Sequence, residues 1–427
     1  MTEAEQSQDE DKGAPEMVNP LELPNQDPWT TPLDELDVAR PQYFERGEHW
    51  AYFERLRKEA PVHFCRDSAF GPYWSISSYE HIKHVDQSHK TFSSEPSILI
   101  QDPSEDFQLP MFIAMDQPKH DEQRKVVQPT VAPRNLVNFE SLIRQRTAEV
   151  LDELPENETF DWVDTVSIEL TTRMLATLFD FPFDERRKLT HWSDVATRPA
   201  FTEEARLANQ AELRECLGYF IELWNQRQSS ASFDLISMMA SHPDTRDMSN
   251  RPMELLGNLI LLIVGGNDTT RNSMSASVYA LNQFPKQYEK LIGNPQLIGS
   301  MVPEVIRWQT PLGYMRRIAN KDVELNGQQI REGDKVIMWY VSGNRDESMF
   351  PDAGSLDIER ANARQHLSFG YGIHRCMGNR LGEMQLRILW EEILKRFENI
   401  EVVDEPELTQ SVFVMGYTKL PVRVTRK

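Results

Sequence analysis

One ten-residue stretch constrains this chain more than any other: Phe369-Gly370-Tyr371-Gly372-Ile373-His374-Arg375-Cys376-Met377-Gly378. Its three glycines allow a tight backbone turn that can approach a flat ligand closely. The residues that follow place Leu381, Met384, Ile388 and Leu389 at helical spacing. Cys376 is therefore expected just before a helix N-terminus, where unpaired N–H groups and the positive end of the helix dipole favour a thiolate. Taken alone, the residue also reads as a buried cysteine in a glycine-rich turn, since free cysteine is often simply core. The other cysteines, Cys65 and Cys216, have no paired spacing with it, so no disulfide framework or zinc site is expected.

In its context, the spacing Phe-x-x-Gly-x-His-x-Cys-x-Gly resembles the haem-thiolate signature of the cytochrome P450 family. The resemblance covers about residue 38 to the C-terminus. It implies a mainly α fold with small β-sheets (α+β), with haem b (iron protoporphyrin IX) between a long central helix and the cysteine loop. Cys376 then takes the role of axial ligand to the iron, and Gly378 closes the same motif. Phe369 matches the aromatic residue packed near the sulfur. His374 falls where the family places a basic contact to a haem propionate, a position at which many relatives carry arginine.

The rest of the chain supplies the other expected pieces in order. Residues 1–37 are acidic, then proline-rich, and read as a disordered tail before a single domain over 38–427. Val62–Phe64 and Tyr73–Ile76 read as strands of a hairpin. Residues 93–115 form a long apolar loop, of a kind that either packs on the core or covers a binding site; in the family it roofs the substrate pocket. Asp116 is expected to cap a helix on which His120 and Arg124, four apart, share one face. That pair reads as surface charge in isolation, and as propionate donors beside the cysteine loop. Residues 134–227 are mostly helical, with a core helix over 164–179 and a polar, unpatterned stretch over 199–217 that suits a lid.

A single helix is expected over 250–284, capped by Asn250 and closed by Pro285. At its centre Gly265-Gly266-Asn267-Asp268-Thr269-Thr270 breaks local helix rules, through either a bend relieved by threonine back-bonding or a functional constraint. The family motif it resembles opens a groove over the iron, so Gly265 faces the haem. Thr269 takes the role of the hydroxyl that bonds dioxygen there, and Asp268 that of the acid relaying protons. Glu304 and Arg307 match the family's buried ion network, completed by Arg360. Arg317 matches a propionate-binding arginine. Short strands are expected at Val323–Leu325 and Lys335–Val341, and at Val412–Val414 across from Leu420–Val424.

Together the motifs imply a monooxygenase that inserts one atom of O2 into an unactivated C–H bond. Segments around Leu259–Met274, Ile306–Pro311 and Met338–Asp346 resemble the bacterial terminal alkane and fatty-acid hydroxylases. This gives an apolar linear substrate and pocket candidates Ile98, Leu99, Leu261, Leu262, Leu312, Met315, Phe413 and Val414. Another apolar substrate such as a terpene, or a haem-binding sensor without turnover, are the other readings; a sensor would not need Asp268 and Thr269. No flavin or nicotinamide segment is present, so electrons are expected from a ferredoxin with an NAD(P)H-dependent reductase. Arg124, Lys125, Arg364, Arg375 and Arg380 offer it a basic patch on a chain of net charge −21, which itself argues against nucleic acid. The longest strongly apolar run, Leu259–Val264, is too short for a membrane anchor, and no signal region opens the chain, so a cytoplasmic location is expected.

Overall fold

The long helix runs from Pro252 to Gln283 in the computed structural model, which describes residues 18–228 and 232–427. Its 32 residues extend about 48 Å. Pro252 opens it where no N–H donor is needed, and Pro285 opens the next helix and ends this one. Asn250 is not its cap. It closes a short 3-10 turn, Met248–Asn250, and Arg251 stands at the cap position with no side-chain bond. The turn prevails because Met248, Asn250 and Arg251 N–H groups all find backbone carbonyls.

This helix is buried along most of its length and joins two cores. Leu255, Leu256, Leu259 and Ile263 pack with Leu175, Phe179 and Phe220. Met274, Val278 and Leu281 pack with Trp390, Val422 and Val424. Gly265 to Thr270 lies between the two. The helix stays continuous through the paired glycines. Thr269 Oγ1 donates to Gly265 O at 3.0 Å, the back-bond expected of a hydroxyl beside a weak turn. Gly266 packs closely on a neighbouring helix, since a Cβ there would stand 2.7 Å from Leu175 Cδ2 and press that side chain aside.

The apolar loop lies across the first turns of this helix as a roof. Phe112 N–H donates to Asn258 Oδ1 at 3.0 Å, and a Cβ on Gly257 would overlap the Pro110 carbonyl. Overpacking of this kind costs about 1–3 kcal/mol. Gly257→Ala is therefore expected to lower the thermal midpoint in a circular-dichroism melt; an unchanged midpoint would show that the roof does not press on this turn.

Five strands form the main sheet in the order Val62–Cys65, Tyr73–Ile76, Lys335–Met338, Met315–Ala319, Phe92–Ser93. The expected hairpin is its first pair. Met315–Ala319 runs antiparallel to Lys335–Met338, with Arg317 opposite Val336. Alternation along the strand puts Met315 and Arg317 on one face and Arg316 on the other.

The pairing expected between Val412–Val414 and Leu420–Val424 does not form. Pro421–Arg426 pairs with Phe397–Val402 and Phe160–Asp161, while Val414 bridges Leu312. The connection is instead held against the central helix. Tyr417 N–H donates to Asn272 Oδ1 at 3.2 Å, and Gly416 leaves room for that asparagine.

The core helix expected over 164–179 begins as a π-helical turn, Val163–Ile168, and continues as Glu169–Phe179 with Leu170, Met174, Leu175 and Leu178 buried. The stretch expected as an unpatterned lid is largely the first half of a helix, Glu203–Arg227, capped by Thr202. Leu213, Cys216, Phe220 and Trp224 supply its buried stripe; its first turns are polar because they rim the cavity described below. Residues 18–37, expected within a disordered tail, lie against the body. Gln26 N–H donates to Tyr43 Oη at 2.7 Å, and Arg55 Nη1 donates to Pro28 O at 2.8 Å and Thr31 O at 2.7 Å. The remainder of that tail, residues 1–17, lies outside the described residues. Among the described residues no helix is long and apolar enough to cross a membrane.

Candidate active site

The cysteine loop is built by two glycines in the left-handed region, Gly370 at φ +64° and Gly372 at φ +67°. They let Cys376 N–H reach back to Phe369 O at 2.8 Å, and the helix Asn379–Arg396 starts three residues later. One cavity of about 700 Å3 lies between this loop, the central helix and the roof. Cys376, Phe369 and Gly378 line it on one side, and Gly265 and Thr269 on the other. Burial pushes the Cys376 thiol up, while the N–H groups of Gly378 and Asn379 and the charges of Arg124 and Arg375 pull it down. The N–H groups at the helix N-terminus thus favour the thiolate, as expected from sequence, against the opposing effect of burial. A cation at the sulfur would deprotonate it outright.

A cluster of donors stands at the edge of the same cavity. Arg124, Arg317 and His374 line it. His120 does not; it is buried beside His374, the two rings 4.4 Å apart and edge to face. Its Nδ1 meets Asp121 Oδ1 at 2.7 Å, and its Nε2 has no partner, nor does either ring nitrogen of His374. Unpartnered buried polar atoms are rare and costly. Burial, with Arg317, His120 and Arg124 nearby, drives His374 down to about 2, so its ring is neutral and carries a single N–H donor. Arg124 also donates to the carbonyl of Arg375, tying its helix to the cysteine loop. A soft sulfur on one wall, two arginines and an unpartnered histidine at the edge and a glycine opposite suit a flat metal-bearing ring with acidic side arms. Haem b meets each of these needs.

The proton-handling pair is divided. Thr269 faces the cavity, but Asp268 is fully buried outside it. Its Oδ1 accepts from Ser193 Oγ, Asn267 Nδ2 and Arg271 Nη2, each at 3.1 Å. Thr197 Oγ1 donates to Oδ2 at 3.4 Å. Burial pushes the Asp268 carboxyl up, and Arg271 opposes this.

Of the apolar candidates, Ile98, Leu99, Leu261, Leu262, Leu312, Met315 and Phe413 line the cavity. Val414 does not: the chain bends at Val412–Phe413, and the bridge to Leu312 turns Val414 into the interior, leaving Val412 on the wall. Asp116 does not cap its helix. Its carboxylate takes Ser93 Oγ at 2.5 Å and Ser94 N–H at 3.1 Å, anchoring the start of the roof.

Sequence reading missed two groups. Arg206, on the cavity rim, donates to Ser104 Oγ at 2.6 Å and joins the helix Glu203–Arg227 to the roof. Asp86 holds Arg317 from behind, with Nη2 to Oδ1 at 2.8 Å. Neither lies in a motif. Within the basic patch, Lys125 pairs with Asp244 at 2.7 Å and Arg364 with Glu383 at 3.2 Å, leaving Arg375 and Arg380 as its exposed members outside an ion pair among the described residues.

The sequence model of the cytochrome P450 family matches residues 40–423. Linalool 8-monooxygenase of Pseudomonas putida is 32% identical over 412 residues, covering 92% of this chain and all of that one. The methyl-branched lipid omega-hydroxylase of Mycobacterium bovis is 29% identical over 388 residues, covering 87% and 90%. The solved structure of cytochrome P450-153 from Novosphingobium aromaticivorans superposes with a TM-score of 0.86 at 47% identity, covering 91% of this chain and 99% of that one. With the family's sequence pattern spanning the chain and its fold reproduced around the cysteine loop, this protein belongs to the cytochrome P450 family and is a haem b monooxygenase.

Proposed function

We propose that this enzyme hydroxylates the terminal methyl of a medium-chain alkane or fatty acid. The carrying observation is the cavity, whose wall above Cys376 and Thr269 is built from Leu261, Leu262, Leu312, Met315 and Phe413 under a roof of Ile98 and Leu99. A linear apolar chain needs just such a surface and no polar anchor near its reacting end. A terminal C–H bond is harder to break than its neighbour, so selectivity must come from shape, which presents only the chain end. The likeness of three segments to terminal hydroxylases and the lipid omega-hydroxylase relative support the same reading.

When bound, the haem supplies the activation of O2. In this proposal Cys376 is its ligand and Phe369 packs against the sulfur. Gly265 and Gly378 give it room, and His120, Arg124, Arg317 and His374 receive its propionates. Thr269 presents Oγ1 to the cavity, where it can accept a hydrogen bond as it stands and can donate once its hydroxyl turns from the Gly265 carbonyl. Asp268 replenishes the hydroxyl proton by turning from Ser193 and Thr197; its raised carboxyl lies closer to neutral pH than a surface aspartate. Electrons come from a ferredoxin docked on the face carrying Arg375 and Arg380.

Supplied with a ferredoxin, its reductase and NADH, the enzyme is expected to convert decane and decanoic acid mainly to terminal alcohols, read by gas chromatography. A mixture dominated by subterminal alcohols would refute the assignment. The linalool 8-monooxygenase relative favours a second reading, a terpene substrate. A Soret titration that shifts fully with linalool and not with decane or decanoic acid would select it.

A further inference from the structure

Asp86 sits in the last turn of the helix Tyr79–Gln87, where the backbone dipole disfavours an acid, and it is 3% exposed. Both features cost free energy unless the carboxylate is fully met by donors. It is. Oδ1 accepts Arg317 Nη2 at 2.8 Å; Oδ2 accepts Tyr340 Oη at 2.8 Å and the Tyr371 backbone N–H at 2.7 Å. These donors come from three separate segments: the strand Met315–Ala319, the short helical turn Tyr340–Gly343 that follows the neighbouring strand Lys335–Met338, and the cysteine loop five positions before Cys376. The loop is fitted to this helix end. A Cβ on Gly370 would stand 3.3 Å from Asp86 Oδ2, and one on Gly372 would stand 2.7 Å from the Asp86 carbonyl.

Arg317 is itself 2% exposed and opens only onto the cavity. Nη1 donates to Arg316 O at 2.8 Å and Nη2 to Asp86, which leaves the rest of its guanidinium fork for the cavity. We propose that Asp86 is the positioning residue of the haem site: one buried carboxylate that aims Arg317 at a propionate and fixes the cysteine loop relative to it. The inference rests on the reading of Arg317 as a propionate donor. It also places a fixed negative charge behind that donor, which favours the ferric state of the bound haem.

The test uses the holoenzyme and three readouts beyond activity: haem transfer to excess apomyoglobin, the reduction potential, and the propionate bending bands in resonance Raman spectra. Asp86→Asn keeps the shape and removes the charge. It is expected to release haem about tenfold faster, as loss of a supporting partner typically does. It should also raise the potential and shift a propionate band. Arg317→Gln should shift the same band, and the double variant should release haem no faster than the faster single. If Asp86→Asn cannot be purified folded, Tyr340→Phe removes one donor to the same carboxylate and should move haem release and the band in the same direction, by less. An Asp86→Asn enzyme that melts earlier with release rate, potential and band unchanged would reduce Asp86 to a fold-stabilising group and overturn the proposal. If Arg317→Gln leaves band and release unchanged, the Arg317 reading itself is wrong, and the role of Asp86 toward it falls with it.

Discussion

Cys376→Ser is expected to leave a folded protein whose reduced, carbon-monoxide-treated form lacks the red-shifted absorption of thiolate ligation, and whose turnover falls to that of free haem. The fold should survive because the loop is set by its backbone. Gly370 and Gly372 make the turn, and the bond from residue 376 N–H to Phe369 O at 2.8 Å uses no side chain. Haem should still enter, since Arg124 and Arg317 reach the cavity edge from segments remote in sequence from the cysteine loop. What the substitution removes is electron donation by sulfur, the property that favours O–O cleavage over reversible binding. Serine oxygen, far less readily deprotonated and less polarisable, cannot replace it. The measurement is a reduced-minus-oxidised spectrum under carbon monoxide, beside an NADH-coupled turnover assay. A red-shifted band of wild-type intensity in Cys376→Ser would displace the cysteine from its assigned role.

Glu304→Ala is expected to destabilise the protein by about 3–5 kcal/mol, because it strands buried positive charge. Glu304 and Arg307 are both fully buried. Glu304 Oε1 takes Arg307 Nη2 at 2.7 Å, Arg360 Nε at 3.1 Å and Asp357 N–H at 3.0 Å, and Oε2 takes Arg307 Nε at 2.8 Å. Arg307 continues to Asn344 O and Ala353 O, each at 2.8 Å. Asn344 then reaches the cysteine loop, its Nδ2 donating to Ser368 Oγ at 2.8 Å and its Oδ1 accepting Leu367 N–H at 2.6 Å. Loss of the carboxylate therefore loosens the base of the loop as well as the core. A domain of ordinary stability, about 5–15 kcal/mol, loses a large share of it. Chemical denaturation should show a lower midpoint, and the purified variant should carry less haem per chain. A stability loss under about 1 kcal/mol would show that this network behaves as a surface pair.

Local motifs were legible wherever the chemistry is carried by neighbours in the chain. The Cys376 loop and its helix, the His120–Arg124 face and the Glu304–Arg307 pair all depend on spacings of a few residues, which backbone geometry converts directly into proximity. The apolar roof was legible as a candidate because so long an irregular apolar stretch has few other uses. Asp86 was not, since the bond that explains it spans 231 positions. Nor was the order Arg206–Ser104, which joins a helix to the roof across 102 positions. Short strands failed for a related reason: Val412–Val414 and Leu420–Val424 each carry strand composition, but composition names no partner.

Sequence alone marked out the chemistry proposed for this protein, since residue identity and short-range spacing pick out the cysteine loop, the basic side chains proposed to meet the propionates and the helix that crosses above them. Tertiary structure decided which way those side chains point. Consecutive residues on a helix face about 100° apart, which allows Asp268 and Thr269 to meet different surroundings. Packing against Ser193, Thr197 and Arg271 took the carboxylate and left the hydroxyl to the cavity. Strand alternation acts likewise at Arg316, turned from the site while Arg317 lines it, and the bridge to Leu312 turns Val414 away while Phe413 lines it. Backbone period offers the alternatives, and only contacts from distant segments choose among them.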